Sequence, residues 1–143
     1  MNPLALVRLA ILGAALALLV RYDLREHRIP NLIVLPATAA CATASLLDDG
    51  VGLSRLFTGG ALLALLLVVS LAWPAALGMG DVKLALLILC ALHGAAPRAL
   101  ILAVELYAFI AVLIILRRGR SAFGIALPLA PFMAAGSLLA LLI

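Results

Sequence analysis

Pro97-Arg98-Ala99-Leu100-Ile101-Leu102-Ala103-Val104-Glu105-Leu106-Tyr107-Ala108-Phe109-Ile110-Ala111-Val112-Leu113-Ile114-Ile115-Leu116 is a run of twenty residues in which only Arg98 and Glu105 carry charge. A helix crossing the hydrocarbon layer of a bilayer, about 30 Å thick, needs about 20 predominantly apolar residues. Cutting the rest of the chain at its charged and Gly/Pro boundaries yields five more apolar stretches, roughly Pro3–Val20, Asn31–Leu47, Leu56–Trp73, Asp81–His93 and Ala122–Ile143. The stretch from Asp81 to His93 is the short one, thirteen residues, or about 20 Å at 1.5 Å per residue. Apolar character runs all round these segments, as lipid-immersed helices require. In hydrocarbon, a chain without barrel-type alternation satisfies its backbone polar groups only as helix. The expected fold is all-α: a polytopic membrane protein whose six helices form one transmembrane bundle, residues 1–143 making a single domain.

Composition excludes the competing classes. Of 143 residues, 68% are hydrophobic and 11% charged, and the mean hydropathy is +1.35. A water-soluble domain runs nearer half apolar and a quarter charged, so this chain has too little polar surface to coat a soluble globule. Intrinsic disorder and a disulfide scaffold are excluded on the same figures. Cys41 and Cys90 sit inside apolar runs and read as small core hydrophobes. The net charge of +4 marks loops of a membrane protein rather than a nucleic-acid partner. Arg21, Arg25, Arg28, Lys83, Arg117, Arg118 and Arg120 fall in alternate connections, with Arg55 and Arg98 on the other side and Arg8 inside the first helix. Basic loops stay in the cytoplasm, so both termini are expected outside and the three basic connections inside. Ala15-Leu16-Ala17 offers a small-residue cleavage site, but Arg8 interrupts the preceding core, and residues 1–20 are read as a helix rather than a signal peptide.

Few side chains remain for chemistry. The acids are Asp23, Glu26, Asp48, Asp49, Asp81 and Glu105, and the histidines are His27 and His93. No metal-ligand spacing, nucleophile elbow or phosphate-binding loop occurs, so neither metal nor cofactor is expected. Asp23 lies in Tyr22-Asp23-Leu24-Arg25-Glu26-His27-Arg28-Ile29-Pro30-Asn31, just past the end of the first helix. Asp81 lies in Gly78-Met79-Gly80-Asp81-Val82-Lys83-Leu84, at the start of the fourth. The expected topology puts both on one membrane face at similar depth. Two carboxyls facing one another cannot both ionise readily. One keeps a proton and serves as acid while the other activates water, which is the chemistry of an aspartyl hydrolase. Pro74 precedes the glycines, which are read as permitting a tight turn and close backbone approach. Because the fourth helix is short, its start is expected in a water-lined dip below the headgroups, with Asp81 turned inward. Taken singly, Asp23 also reads as a solvated loop charge and Asp81 as a helix cap; their pairing carries the argument.

Asp23 followed by Ile29-Pro30-Asn31, then Gly78-Met79-Gly80-Asp81-Val82-Lys83-Leu84, resembles the type IV prepilin peptidase family, the GxGD aspartyl membrane proteases. Pro128 and Pro131 in the last segment agree with it more weakly. The resemblance implies that Asp23 and Asp81 are the catalytic pair, with Ile29, Pro30, Asn31, Gly78, Gly80, Lys83, Pro128 and Pro131 shaping the site. It implies an intramembrane endopeptidase of the inner membrane, active at the cytoplasmic face, whose partners are the lipid bilayer and prepilins or pseudopilins with short basic leaders. Larger members carry paired CxxC motifs and also N-methylate the new pilin terminus. This sequence has no CxxC, so it resembles the short form of tight-adherence (Flp) pili and is expected to lack methyl transfer. Ala130 departs from the family, where many members place Gly before Pro131. A preflagellin peptidase of archaeal type is the alternative within the class, and a small proton-coupled transporter the alternative outside it.

One structural expectation concerns charges away from these motifs. Arg8 and Glu105 lie thirteen and twelve residues from the basic ends of their segments, at Arg21 and Arg117. Buried opposite charges at one depth tend to pair, so an Arg8–Glu105 ion pair joining the first and fifth helices is expected.

Overall fold

The structure, a computed structural model, describes residues 2–48, 53–72, 77–119 and 127–143, with side chains from Phe57 onward in the third helix. Pro74, Asp49-Gly50, Arg120, the side chain of Arg55 and the start of the expected sixth segment at Ala122 lie outside the described residues. The described chain is helical: α1 (Pro3–Glu26), α2 (Asn31–Leu46), α3 (Leu53–Ala72), α4 (Met79–Leu92), α5 (Ala96–Arg118) and α6 (Ala130–Leu142), with a 3-10 turn at His93–Ala95 between α4 and α5. Two stretches are long and apolar enough to cross a membrane, Pro3–Glu26 and the run Met79–Arg118 through that turn; Asn31–Leu46, Phe57–Ala72 and Ala130–Leu142 are shorter apolar helices. The described residues thus carry two stretches of spanning length where the sequence reading expected six spans.

Local chemistry accounts for the ends. Asn2 caps α1 by accepting from the Leu4 amide at 3.1 Å, and Pro3 supplies the pre-set first-turn conformation. The helix runs past the charged cluster to Glu26, where His27 takes left-handed angles (φ 50, ψ 39) and its amide bonds back to the Asp23 carbonyl at 3.0 Å. Asp23 is therefore inside the last turns of α1, not in a loop beyond it. Charge density suggested a loop there. In fact Arg21, Tyr22, Leu24, Arg25 and Glu26 are exposed while Asp23 alone turns to the bundle.

Helix α4 is the hub. It packs against α1, α2, α3, α5 and α6, and Leu84, Ala85, Leu87 and Ile88 are wholly buried. Its all-round apolar surface is thus protein core and not a lipid-facing coat, which is why fourteen residues suffice. The outer surface tells the opposite story. Leu32, Phe57, Leu71, Val104, Phe109 and Leu116 are among many large apolar side chains left exposed. A patchwork this extensive is hostile to water, and with the apolar helices it points to a membrane protein.

Between α5 and α6 the backbones nearly touch. A Cβ on Gly136 would collide with the Ala99 carbonyl and lie 2.6 Å from the Ala103 nitrogen. In lipid, where apolar burial drives association weakly, small residues that admit such approach are the means of helix pairing. An edge-to-face contact of Tyr107 with Phe132, centroids 5.4 Å apart, closes the same seam.

The expected Arg8–Glu105 pair does not form. Nη2 of Arg8 meets Oδ2 of Asp48 at 2.8 Å, and Glu105 lies exposed on α5. The reason is packing order: α1 packs against α2, α4 and α6, whereas α5 packs chiefly against α6 and also against α4. Matched depth does not bring two charges together when their helices are not neighbours.

Candidate active site

Asp23 and Asp81 line one cavity of about 520 Å³, together with His27, Arg28, Ile29, Asn31, Gly78, Gly80, Lys83 and the segment Leu127–Leu129. Three stretches far apart in sequence converge here: the end of α1 with its connection to α2, the start of α4, and the approach to α6.

Each carboxylate is placed by backbone chemistry. Asp81 sits in the first turn of α4, three residues after the N-cap Gly78, whose carbonyl accepts from the Asp81 amide at 3.0 Å and the Val82 amide at 3.3 Å. Asp81 is half-buried, and the helix start it occupies favours an acidic side chain. Asp23 is 6% exposed, and its Oδ2 accepts the backbone N–H of Ala130 at 2.9 Å. That amide needs an outside acceptor. In the first turn of α6 Pro131 has no N–H, and the amides of Phe132 and Met133 bond to the Leu129 carbonyl at 3.1 Å each. Ala130 is the N-terminal amide left over, and Asp23 answers it from another helix.

The glycines act through space rather than through unusual angles. Gly78 has an ordinary extended conformation, φ −71, which corrects the expectation of a turn that other residues resist. A Cβ on Gly80 would sit 3.2 Å from Cβ of Ile29. The missing side chain therefore lets the start of α4 press against the connection that follows Asp23. A second tie crosses the same junction, from Nζ of Lys83 to Oδ1 of Asn31 at 2.9 Å. The two sequence motifs are thus bolted to each other by a packing contact and a hydrogen bond.

Of the residues singled out from sequence, Asp23, Asp81, Ile29, Asn31, Gly78, Gly80, Lys83 and Pro128 line the cavity. Pro30 does not line it but is the N-cap residue of α2, and Pro131 stands behind the wall in the first turn of α6. Sequence reading named His27 among the groups available for chemistry without giving it a place in the site, and it missed the Ala130 amide and the leucines Leu127 and Leu129. The proline at 131 was the available signal, since proline favours the first turn of a helix. It marks the start of α6 at Ala130.

The model of the Type IV leader peptidase family matches residues 10–117. The chain belongs to that family. No curated protein and no solved structure matches it. Membership in the leader peptidase family makes the chain a protease, with prepilins as the kind of partner it implies. The matched stretch contains both aspartates and ends before Pro128, Ala130 and Pro131, so the element that holds Asp23 from behind lies outside it.

Proposed function

We propose that this leader peptidase is an aspartyl endopeptidase that removes the short basic leader of a type IV or Flp prepilin at the cytoplasmic face of the inner membrane. The observation that carries the reading is the placement of Asp23 and Asp81 on one cavity, one fixed by the Ala130 amide and the other by the start of α4. The substrate's apolar helix lies in the bilayer, its leader stays in the cytoplasm, and the scissile peptide enters the cavity between the two acids.

In the proposed reaction a water molecule between the carboxyls attacks the peptide carbonyl. The ionised carboxylate takes the water's proton as the new C–O bond forms, and the protonated partner donates to the carbonyl oxygen. Collapse of the tetrahedral species breaks the C–N bond, and the proton just taken goes to the departing amine. Two acids in one site share a proton naturally, because neighbouring like charges resist double ionisation. No covalent intermediate is required. Arg28 and Lys83 on the rim supply positive charge beside the developing oxyanion. Methyl transfer is outside the proposed activity.

The test is co-expression with a prepilin bearing a short basic leader, read as a mobility shift on cleavage. Wild type should process the substrate, and Asp23→Asn and Asp81→Asn should leave it intact. Processing by either variant at near wild-type rate would refute the pair.

A further inference from the structure

Helix α5 carries a carboxyl on its outward face that neither the peptidase chemistry nor the packing of the bundle uses. Glu105 is exposed, nine residues after the start of α5 at Ala96 and thirteen before its end at Arg118. No group among the described residues bonds to it, and the partner expected for it, Arg8, is held by Asp48 instead. Its neighbours on that face are apolar: Ile101, Val104, Phe109, Val112 and Leu116 are all exposed. No one solvent suits such a face. Water accommodates the carboxyl and not the apolar side chains; hydrocarbon accommodates the side chains and not the carboxyl. Another protein surface meets both demands.

The spacing specifies the surface further. Ile101, Glu105, Ala108, Val112 and Ile115 follow one another at steps of four, three, four and three, and every one of them is exposed. That is the seam spacing by which one helix lies along another over several turns. Ala108 sits next to Glu105 on the seam and lets a second backbone come close, as small residues do between helices in lipid. The other side of α5 is already occupied, chiefly by α6 and also by α4.

We propose that this face is where two copies of the chain meet, α5 against α5, with the two Glu105 carboxyls hydrogen-bonded to each other. The carboxyl is what singles out a second copy. A two-fold axis sets each residue beside it against its own twin. Copies inserted under the same loop charges share one orientation in the bilayer, so the axis runs along the membrane normal and the two α5 helices are parallel. Glu105 then stands opposite Glu105 at one depth. A carboxyl holding its proton both donates and accepts, so the twins satisfy each other with no basic residue between them. Helix α5 bears its basic residues only near its ends, at Arg98, Arg117 and Arg118. No residue of α5 lines the cavity of the aspartates, and the pairing is independent of the peptidase reading.

The full-length chain, labelled in separate batches with donor or acceptor dye, is reconstituted in phospholipid vesicles over a range of protein-to-lipid ratios. Energy transfer should rise with that ratio along a monomer–dimer curve. Glu105→Leu makes the face wholly apolar and should weaken association about tenfold or more, whereas Glu105→Gln keeps a donor and an acceptor and should hold it within about threefold. A second measurement leaves Glu105 in place. Val112→Cys, on the seam, should be joined to its twin by a short bifunctional maleimide. Leu35→Cys, exposed on α2, which packs against α1 and α4, should not; both are read against the parent chain with Cys41 and Cys90 present. Energy transfer at the level of a monomeric membrane protein at every ratio would overturn the proposal. So would association that Glu105→Leu leaves unchanged or that Glu105→Gln weakens as much, or equal cross-linking at the two introduced cysteines. A Val112→Cys cross-link formed only to a co-expressed prepilin would also overturn it and give the face to the substrate.

Discussion

The Ala130 amide donates to Asp23 Oδ2 at 2.9 Å across 107 positions of sequence. One acid of the proposed pair is thereby held in place by the backbone at the start of α6. Position 130 needs only its N–H for this contact, which an alanine supplies as well as any residue but proline.

Asparagine at either acid retains shape and a carbonyl acceptor while losing the proton chemistry. Asp23→Asn and Asp81→Asn should each lower the cleavage rate roughly 10²- to 10⁴-fold, the usual worth of positioned acid–base groups. The double variant should be little worse than either single one, because members of a catalytic unit are not additive. Single-turnover cleavage in detergent measures all three, with circular dichroism showing retained helicity.

Gly136 admits no side chain. Gly136→Ala would push a methyl into the Ala99 carbonyl and Ala103, at a cost of about 1–3 kcal/mol for overpacking. The displaced α6 would carry the Ala130 amide away from Asp23, so activity should fall as well. Gly13→Ala, where nothing lies within 4 Å, is the control and should be neutral or slightly stabilising. Thermal unfolding and cleavage assays on the two variants distinguish them.

Gly80 faces Ile29, so Gly80→Ala forces the isoleucine to retreat by a few tenths of an ångström. Reduced cleavage is expected, and Ile29→Val in the same chain should restore part of it by removing a methylene. Failure of the double variant to recover, with both proteins folded, would show that the glycine matters for another reason.

The pair of Arg8 and Asp48 has both side chains under 10% exposed, 6% and 9%. Removing one partner of a buried pair strands the other, at about 3–5 kcal/mol. Asp48→Asn should therefore destabilise strongly, and the double variant Arg8→Gln/Asp48→Asn should recover part of the loss. Glu105→Gln, on the exposed side of α5, should change stability by no more than about 0.5 kcal/mol. Denaturant midpoints of the four proteins decide the matter.

Much of this was open to reading from the chain alone. Apolar runs with charged borders marked α2, α3, α4 and α5 to within three residues at each end, and the start of α1, which runs six residues past its expected end, because a membrane-type segment must bury or immerse every backbone polar group in helix. The two aspartates stood out since acids are scarce here, and each lay within a dense polar motif. Even the Arg8–Asp48 contact was accessible in principle. Counting back from Glu26 to Arg8 and forward from Asn31 to Asp48 gives eighteen and seventeen residues, as an antiparallel hairpin of α1 and α2 demands.

Neighbour relations between helices were not written in any local pattern. Apolar surface looks the same whether it is left exposed, as on α5, or meets five other helices, as on α4, so composition could not say that the short segment is the hub. The amino-acid sequence by itself determined helix, apolarity and the identity of the candidate acids. Tertiary packing alone decided that the α6 amide reaches Asp23, because that contact depends on a glycine-to-alanine approach between α5 and α6 that no spacing along the chain encodes.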